Sequence, residues 1–233
     1  MNKLSIAIMH CPFYEERKTI VQKIINQLGK ANILNELEDF AVIEDWKKRG
    51  VWHTAKKSWE FCLSTDATHH LVIQDDISLC NDFIHTVKEL IKVFPKKIMC
   101  LYANRKICEQ AKEKDIRWIG IADGIWGQAC LLPKEETENF LEWDNNHIKK
   151  EFKWDDSRLT MYCLKKNHIP LCPMPSLVEH ICPSNSTLGN NNKTRVARWF
   201  VSNKSYLEYD WSKTDMITQR TSSFRHGWPY YYD

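Results

Sequence analysis

The sequence predicts an α/β protein in which a mainly parallel sheet is flanked by helices. Short apolar segments alternate with segments whose apolar residues recur at helical spacing. The length of 233 residues suits one large α/β unit, and 43% hydrophobic residues suffice for a sizeable core. We therefore expect one domain over residues 1–189, followed by an irregular, aromatic and basic C-terminal extension over residues 190–233.

The first half of the chain reads as three successive strand and helix pairs. Each strand is an apolar run bounded by polar or turn residues, and each helix repeats apolar residues every three or four positions. The predicted strands cover residues 3–9, 40–44 and 68–74. The predicted helices cover residues 15–29, 52–64 and 81–94. Gly29 and Pro95 supply stop signals for the first and third helices.

The second half begins with two more strands, over residues 97–102 and 127–133. Pro133 is placed to open the helix that follows, because proline is favoured at the first helical position. After about residue 170, four prolines and the segment SNSTLGNNNK have the composition of loops. We expect no long helix or strand in that region.

Composition narrows the functional classes. The formal charge of +3 is too small to require a polyanionic partner, and no run of 18 apolar residues predicts a membrane span. The nine cysteines are odd in number and form no CxxC pair, which indicates reduced core thiols. Because Met1 leads directly into a strand-like segment without a leader pattern, we expect a soluble, cytoplasmic protein.

Polar residues end two of the predicted strands. The first strand ends at His10-Cys11-Pro12, and the third ends at Gln74-Asp75-Asp76. In open parallel sheets, ligands bind outside the carboxyl ends of the strands, so we expect both endings at one rim. Two adjacent carboxylates at the end of an apolar strand also require a positive partner.

A second acidic pair, Asp155 and Asp156, and a histidine, His180, follow later in the chain. Carboxylates with an imidazole and no thiolate cluster suit Mg²⁺ or Mn²⁺ with a phosphate-bearing ligand better than zinc. Simpler alternatives remain open at this point. Asp75 and Asp76 fit a solvated turn, Asp155 fits a helix cap, and a lone histidine is more often structural.

The order of these features resembles that of the GT-A fold glycosyltransferases, over most of residues 3–190. The matching segments are Gln74-Asp75-Asp76 for the family's DxD motif, Asp123 to Gln128 for its glycine loop, Trp154-Asp155-Asp156 for its xED motif, and His180 for its C-terminal histidine. This sequence departs from the pattern at Gln74, which replaces the first aspartate. The Gln74 side chain can still bind a ribose or coordinate through its carbonyl oxygen.

The resemblance implies a divalent metal, Mn²⁺ or Mg²⁺, and a nucleoside-diphosphate sugar as donor. Asp76 and His180 would be metal ligands, and Asp75 would contact the nucleotide ribose or a metal-bound water. Ser184 and Ser186 would donate hydrogen bonds to the diphosphate.

The resemblance also assigns donor-binding roles to two loops. The loop from His10 to Arg17 would hold the nucleotide base, with Arg17 on a phosphate. The glycine loop, including Gly127 and Gln128, would let the backbone approach the donor sugar closely.

The implied reaction is transfer of a hexose or pentose to an acceptor hydroxyl, with a UDP-sugar as the favoured donor. Asp156 would be the general base of an inverting enzyme, and Asp155 is the alternative for that role.

The prediction of the acceptor rests on the composition of residues 190–233, which hold seven Lys or Arg, four acidic residues and ten aromatic residues. Basic side chains grip a phosphate backbone and rings stack on bases, which favours a hydroxymethylated pyrimidine in DNA, as in phage-type DNA-base glycosyltransferases acting in a bacterium or a phage-infected host cell. The alternatives are a bacterial glycan or lipopolysaccharide acceptor, a metal-dependent phosphohydrolase or nuclease, and a noncatalytic nucleic-acid-binding protein. The aromatic residues would also serve simply to pack the extension onto the domain.

Overall fold

An eight-stranded sheet organises the part of the chain that the computed structural model describes, namely residues 2–29, 39–122, 124–181 and 195–219. Its strands are β1 (Leu4–His10), β2 (Asp39–Glu44), β3 (His69–Gln74), β5 (Met99–Cys100), β6 (Trp118–Ile121), β7 (Ala129–Pro133), β8 (Leu171–Pro173) and β10 (Met216–Gln219). Their order in the sheet is β10-β6-β8-β5-β7-β3-β1-β2. A separate two-stranded sheet pairs β4 (Ile77–Leu79) with β9 (Val178–His180).

Helices cover both faces of the large sheet. They are α1 (Glu15–Gly29), α2 (Val51–Phe61), α3 (Phe83–Val93), α4 (Ile107–Glu113), α5 (Lys134–His147) and α6 (Asp155–Lys165). Strand β1 pairs in parallel with both β2 and β3, whereas β7 runs antiparallel to β3 and β5. The predicted α/β class, with a mainly parallel sheet flanked by helices, is confirmed.

Alternation along the strands divides the core into two layers. In β1, Ile6 and Ile8 face the layer that contains the buried side of α3, while Met9 faces the layer that contains Trp59 of α2 and Phe140 of α5. Successive strand residues point to opposite faces, so one sheet supplies both layers. Burial of both faces explains why β1 reads as a continuous apolar run rather than an alternating one.

The predicted elements match the structure best where periodicity is long. The expected strand over 97–102 contracts to Met99–Cys100, and Pro133 ends β7 so that α5 begins one residue later, at Lys134. The sequence reading missed β4, α4 and β6, and beyond residue 170 it expected no long elements. Among the described residues there, the structure has three short strands, β8, β9 and β10, and one turn of 3-10 helix at Tyr206–Glu208.

The cysteine prediction is confirmed for the described residues. Eight cysteines are free thiols, and all but Cys11 are buried. They act as small apolar side chains of the core.

Residues 195–219 pack against the domain. Tyr206 and Trp211 are buried in the core layer of α3, and β10 adds a parallel edge strand next to β6. Among the described helices, none has the length and apolar character needed to cross a membrane.

Candidate active site

The ends of β1 and β3 meet at one rim of the sheet, as predicted. The two strands pair in parallel with Met9 opposite Gln74, so the residues that follow each strand emerge side by side. His10 Nδ1 lies 2.9 Å from Asp75 Oδ2, and the Cys11 amide donates to the same oxygen at 2.6 Å.

The positive partner of the acidic pair within the chain is Arg17. Its guanidinium donates to Asp75 Oδ1, and its second terminal nitrogen donates to Asp76 Oδ2 at 3.1 Å. Arg17 lies in the first turns of α1, directly after the loop that follows β1, and only 4% of it is exposed. Burial alone would lower the pKa of Arg17, but the charges of Asp76 and Asp75 raise it, so the guanidinium stays charged.

The two carboxylates differ in what remains open to a ligand. Asp75 uses both oxygens for Arg17, His10 and the Cys11 amide. Asp76 Oδ1 is buried and has no hydrogen-bond partner among the described residues. Burial raises the pKa of Asp76, but the His180 hydrogen bond and the Arg17 charge outweigh it and hold the pKa below its ordinary value. Asp76 is therefore an ionised carboxylate with one uncommitted oxygen.

His180 reaches the acidic pair through the small sheet. Strands β4 and β9 pair antiparallel with Ile77 opposite His180, and the Ile181 amide donates to the Asp76 carbonyl at 2.8 Å. This places His180 Nε2 3.4 Å from Asp76 Oδ2. The order of motifs predicted this meeting, although the strands that produce it were not predicted.

The glycine loop crosses the floor of the site beside Gln74. Strand β7 runs antiparallel to β3, and the backbone N–H of Gln74 donates to the backbone carbonyl of Gln128 at 2.9 Å. A methyl side chain at Gly127 would meet Gln74 Nε2 at 3.0 Å and Asp155 Oδ2 at 3.1 Å. Glycine suits this position because any larger residue would force these side chains to shift by a few tenths of an ångström.

The second acidic pair opens α6. Helix α6 begins at Asp155 itself, so Asp155 lies in the first turn rather than at the capping position, which Trp154 occupies. Asp155 Oδ2 accepts a hydrogen bond from Gln74 Nε2 at 3.3 Å. Burial and the neighbouring charge of Asp156 raise the pKa of Asp155 to about 7. A carboxyl group with that pKa exchanges protons near neutral pH.

Asp156 is more constrained than Asp155. One oxygen, Oδ1, accepts hydrogen bonds from the Ser157 amide at 2.6 Å and the Ser157 hydroxyl at 3.2 Å. Burial raises the pKa of Asp156, and the Ser157 bonds and the charge of Arg195 partly offset that rise.

Two buried contacts hold α6 in position. Arg158 donates to Asp144 Oδ1 of α5 at 2.6 Å, with its guanidinium over the Trp52 ring of α2. Thr160 Oγ1 accepts from the Ile125 amide at 2.9 Å and donates to the Asp156 carbonyl at 2.8 Å. The second contact ties the first turn of α6 to the glycine loop.

The acidic rim borders a cleft of about 680 Å³, whereas Asp155 and Asp156 are not among its lining residues. His10, Arg17, Gln74, Asp75, Asp76, Gln128 and His180 all line it. Three buried polar atoms of this wall have no hydrogen-bond partner among the described residues: Arg17 Nε, Asp76 Oδ1 and Gln128 Oε1. Buried polar atoms are nearly always paired in folded proteins, so three unpaired atoms in one cleft indicate a polar ligand.

The cleft also contains residues that the sequence reading did not single out. After β2, Asp45 accepts hydrogen bonds from the Arg49 and Gly50 amides, each at 2.9 Å, and so fixes the start of α2. Nearby, Lys48 Nζ lies 4.7 Å from the centroid of the Phe13 ring. The rule that ligands bind at the carboxyl ends of strands, applied to β2, would have found this side of the cleft.

Asp123, Ser184 and Ser186 lie outside the described residues. The diphosphate-binding role predicted for the two serines stays a prediction.

The residues present fit a divalent metal in part. The uncommitted Asp76 oxygen and the His180 imidazole are suitable donors, whereas Asp75 is already occupied by Arg17, His10 and a backbone amide. In the described ranges, no group of three or more His, Cys, Asp or Glu side chains is arranged to hold a metal ion. Remaining ligands would come from the diphosphate and water, as is usual for Mg²⁺ in phosphate sites.

Comparison with known proteins finds distant similarity to solved structures. No protein-family model and no curated protein sequence matches this chain. Among solved structures, A197 from STIV is 13% identical, with 77% of this chain and 85% of that chain covered and a TM-score of 0.47. A mutant of Drosophila β1,4-galactosyltransferase 7, in complex with manganese, UDP-Gal and xylobiose, is 10% identical, with 87% and 83% covered and a TM-score of 0.48.

A glycosyltransferase involved in glycosylation of the major capsid of PBCV-1 is 10% identical, with 70% of this chain and 78% of that chain covered and a TM-score of 0.38.

Proposed function

We propose that this protein is a glycosyltransferase that moves a sugar from a nucleoside-diphosphate sugar, with a UDP-sugar favoured, to an acceptor hydroxyl. The observation that carries the proposal is the pairing of two chemically different acidic sites in one place. Asp76 is ionised with an uncommitted oxygen beside His180, and Asp155 has a pKa of about 7 on the other side of Gln74. The first site suits a metal diphosphate and the second suits proton transfer.

Each residue at the rim has a defined task in this proposal. Asp76 and His180 hold a divalent ion, Mn²⁺ or Mg²⁺, which supplies neutralisation of the leaving diphosphate when bound. Arg17 helps to hold the pKa of Asp76 below its ordinary value and, through Asp75, fixes the loop that starts at His10. This loop and the Lys48 side of the cleft accommodate the nucleoside.

Proton transfer falls to the acidic pair at the start of α6. The acceptor hydroxyl must lose its proton as the new glycosidic bond forms, and a carboxylate within hydrogen-bond reach accepts it. In an inverting reaction Asp155, which accepts one hydrogen bond from Gln74 and has a pKa of about 7, takes this role, with Asp156 as the alternative. Because Gly127 has no side chain, Gln74 and Asp155 can form their hydrogen bond close to its backbone.

For the acceptor we propose a hydroxymethylated pyrimidine in DNA, with a saccharide as the alternative. Support comes from the basic and aromatic composition of residues 190–233. Within residues 195–219, however, Tyr206 and Trp211 serve the core, and Arg198, Lys204 and Lys213 pair with Glu109, Glu208 and Asp115. The DNA assignment therefore depends on Arg195, which lines the cleft, and on residues beyond the described range.

Thermal shift with nucleoside diphosphates, with and without Mn²⁺, tests the donor assignment. We expect UDP and Mn²⁺ together to raise the Tm more than either alone, because the ion would be bound by Asp76 and by the diphosphate of UDP at the same time. Release of nucleotide from a panel of nucleotide sugars then identifies the donor. If the protein binds only oligonucleotides, with an affinity that neither metal nor nucleotide changes, this result would contradict a transferase. Hydrolysis of phosphate esters without sugar transfer would favour a phosphohydrolase or nuclease.

A further inference from the structure

Two cations remain uncommitted in the cleft after the known contacts are assigned. Of the charged side chains that line it, Asp45 binds backbone amides, Arg17 binds the acidic pair, and Lys48 stacks on Phe13. Lys153 and Arg195 also line the cleft, but neither forms an ion pair with any described residue.

Both cations lie beside the start of α6. Lys153 precedes Asp155 by two residues and is exposed. Arg195 is half-buried, its backbone carbonyl accepts a hydrogen bond from the Tyr102 hydroxyl, and its charge acts on the Asp156 carboxyl. In the proposed reaction the acceptor hydroxyl must reach the start of α6, so it would approach past these two side chains. The nucleoside side of the cleft, at Phe13 and Lys48, belongs to other elements.

An Arg and a Lys side chain without ion-pair partners would impair a general base beside them. Positive charge stabilises the carboxylate and so weakens its affinity for a proton. A neutral acceptor sugar would accept hydrogen bonds from these side chains but would bring no opposite charge to balance theirs. A phosphate would pair with both, because a guanidinium fork and an ammonium bind its oxygens by charge-assisted hydrogen bonds, and it would also shield the base from their charge.

We propose that the acceptor carries a phosphate ester next to its reacting hydroxyl, and that Lys153 and Arg195 bind that phosphate. The inference rests on the proposed transferase function and narrows its substrate class. A phosphodiester of a nucleic-acid strand and a phosphorylated saccharide share this chemistry, and the experiment separates them.

The experiment measures binding of two probes in the presence of UDP and Mn²⁺. One probe is a short fluorescent single-stranded oligonucleotide that contains hydroxymethylcytosine, and the other is a hexose 6-phosphate, compared with the unphosphorylated hexose. The test variants are Lys153→Met and Arg195→Met. The matched controls are Lys150→Met, three residues from Lys153 and exposed, and Arg198→Met, whose guanidinium pairs with Glu109.

We expect each test variant to weaken binding of the phosphate-bearing probe by about 10-fold or more, since a charge-assisted pair is lost, while the controls bind as the wild type does. Inorganic phosphate should compete with the probe on the unmodified protein, which keeps the test valid if a variant folds poorly. Preferred binding of the oligonucleotide identifies a nucleic-acid phosphodiester as the source, and preferred binding of the hexose phosphate identifies a saccharide.

Equal binding of the phosphorylated and neutral hexoses, together with unchanged oligonucleotide binding in the test variants, would overturn the inference. So would loss of the UDP and Mn²⁺ thermal shift in Lys153→Met or Arg195→Met, because these side chains would then hold the donor diphosphate. If the wild type shows no such shift at all, the donor assignment fails, and the probe measurements still decide on the phosphate site.

Discussion

At the scale of single residues, the central result is that the two carboxylates after β3 are not equivalent. Asp75 is saturated by Arg17, His10 and a backbone amide, and only Asp76 keeps an uncommitted oxygen. These two neighbours in the sequence therefore differ: Asp75 is held within the wall of the site, and Asp76 is the carboxylate that we propose to bind the ligand.

Asp76→Asn should abolish the Mn²⁺-dependent part of UDP binding, because an amide oxygen is a weaker ligand than a carboxylate. It should also lower the Tm at neutral pH, since the variant leaves Arg17 with one ionic partner fewer. The folded pKa of Asp76 is lowered, so its contribution to stability is present above the ordinary value of 3.8 and is lost as pH falls through the folded pKa. Thermal shift across pH measures both effects. A variant that keeps full metal-dependent UDP binding would remove Asp76 from the proposed metal site.

Asp155→Asn tests the base with the opposite sign of pH dependence. The folded pKa of Asp155 is raised from 3.8 to about 7, so stability conferred by the protonated form is complete below 3.8 and declines as pH rises to about 7. The variant should lack this decline and should be relatively more stable than the wild type at alkaline pH. In an inverting enzyme, transfer by the wild type should rise through about pH 7, and the variant should lose about 100-fold or more in kcat. If Asp156→Asn has that effect and Asp155→Asn does not, the base is Asp156.

At the scale of elements, the glycine loop and the start of α6 form one unit. Thr160 bridges them by two hydrogen bonds, and the Cys100 and Cys130 thiols both donate to the Trp126 carbonyl, at 3.0 and 3.3 Å. Core side chains of two strands thus fix the loop that borders the reacting groups.

Gly127→Ala should reduce transfer strongly with little loss of stability. The added methyl group would lie 3.0 Å from Gln74 Nε2 and 3.1 Å from Asp155 Oδ2, and relieving this crowding separates the Gln74 and Asp155 side chains. Because the Gln74 hydrogen bond lowers the pKa of Asp155, its loss should shift the pH midpoint of transfer upward. Measurement of kcat against pH tests this.

Gly120→Ala is the matched control for that substitution. Its methyl group would meet Ile169 Cγ2 at 2.9 Å and Thr218 Oγ1 at 3.0 Å, between strands and away from the cleft. We expect a lower Tm and an unchanged pH midpoint. Identical pH profiles for the two glycine variants would contradict a role for Gly127 at the base.

At the scale of the whole molecule, residues 195–219 contribute to the core. Trp211 lies against Trp118 with ring centroids 6.1 Å apart, and its indole nitrogen donates to the Tyr206 carbonyl at 3.0 Å. Through Arg195, the same segment brings a charged side chain into the cleft. Stability and the proposed acceptor site thus depend on one segment.

Trp211→Ala should destabilise the protein by about 3–5 kcal/mol, the usual cost of deleting a large buried aromatic side chain. Urea unfolding measures the change in free energy. Relative to the wild type, we also expect this variant to lose more affinity for the phosphate-bearing probe than for UDP, because the segment that carries Arg195 loses its anchor. A loss below about 1 kcal/mol would show that the segment is not an integral part of the core.

The sequence by itself determined the α/β class and the position of the acidic rim. Long apolar periodicities specify helices and buried strands, and the carboxyl ends of parallel neighbours such as β1 and β3 must share an edge. It did not specify the pairing of β4 with β9, because strands of three residues carry too little pattern to be recognised.

Only the tertiary structure decided which charges meet. Arg17 precedes Asp75 by 58 positions and Asp76 by 59, and His180 is farther still along the chain. No local sequence pattern therefore indicates that Arg17 neutralises the acidic pair, or that Asp76 rather than Asp75 keeps an oxygen without a hydrogen-bond partner. Periodicity records which side of an element is buried, whereas the protonation and occupancy of a carboxylate depend on distances that long-range packing sets.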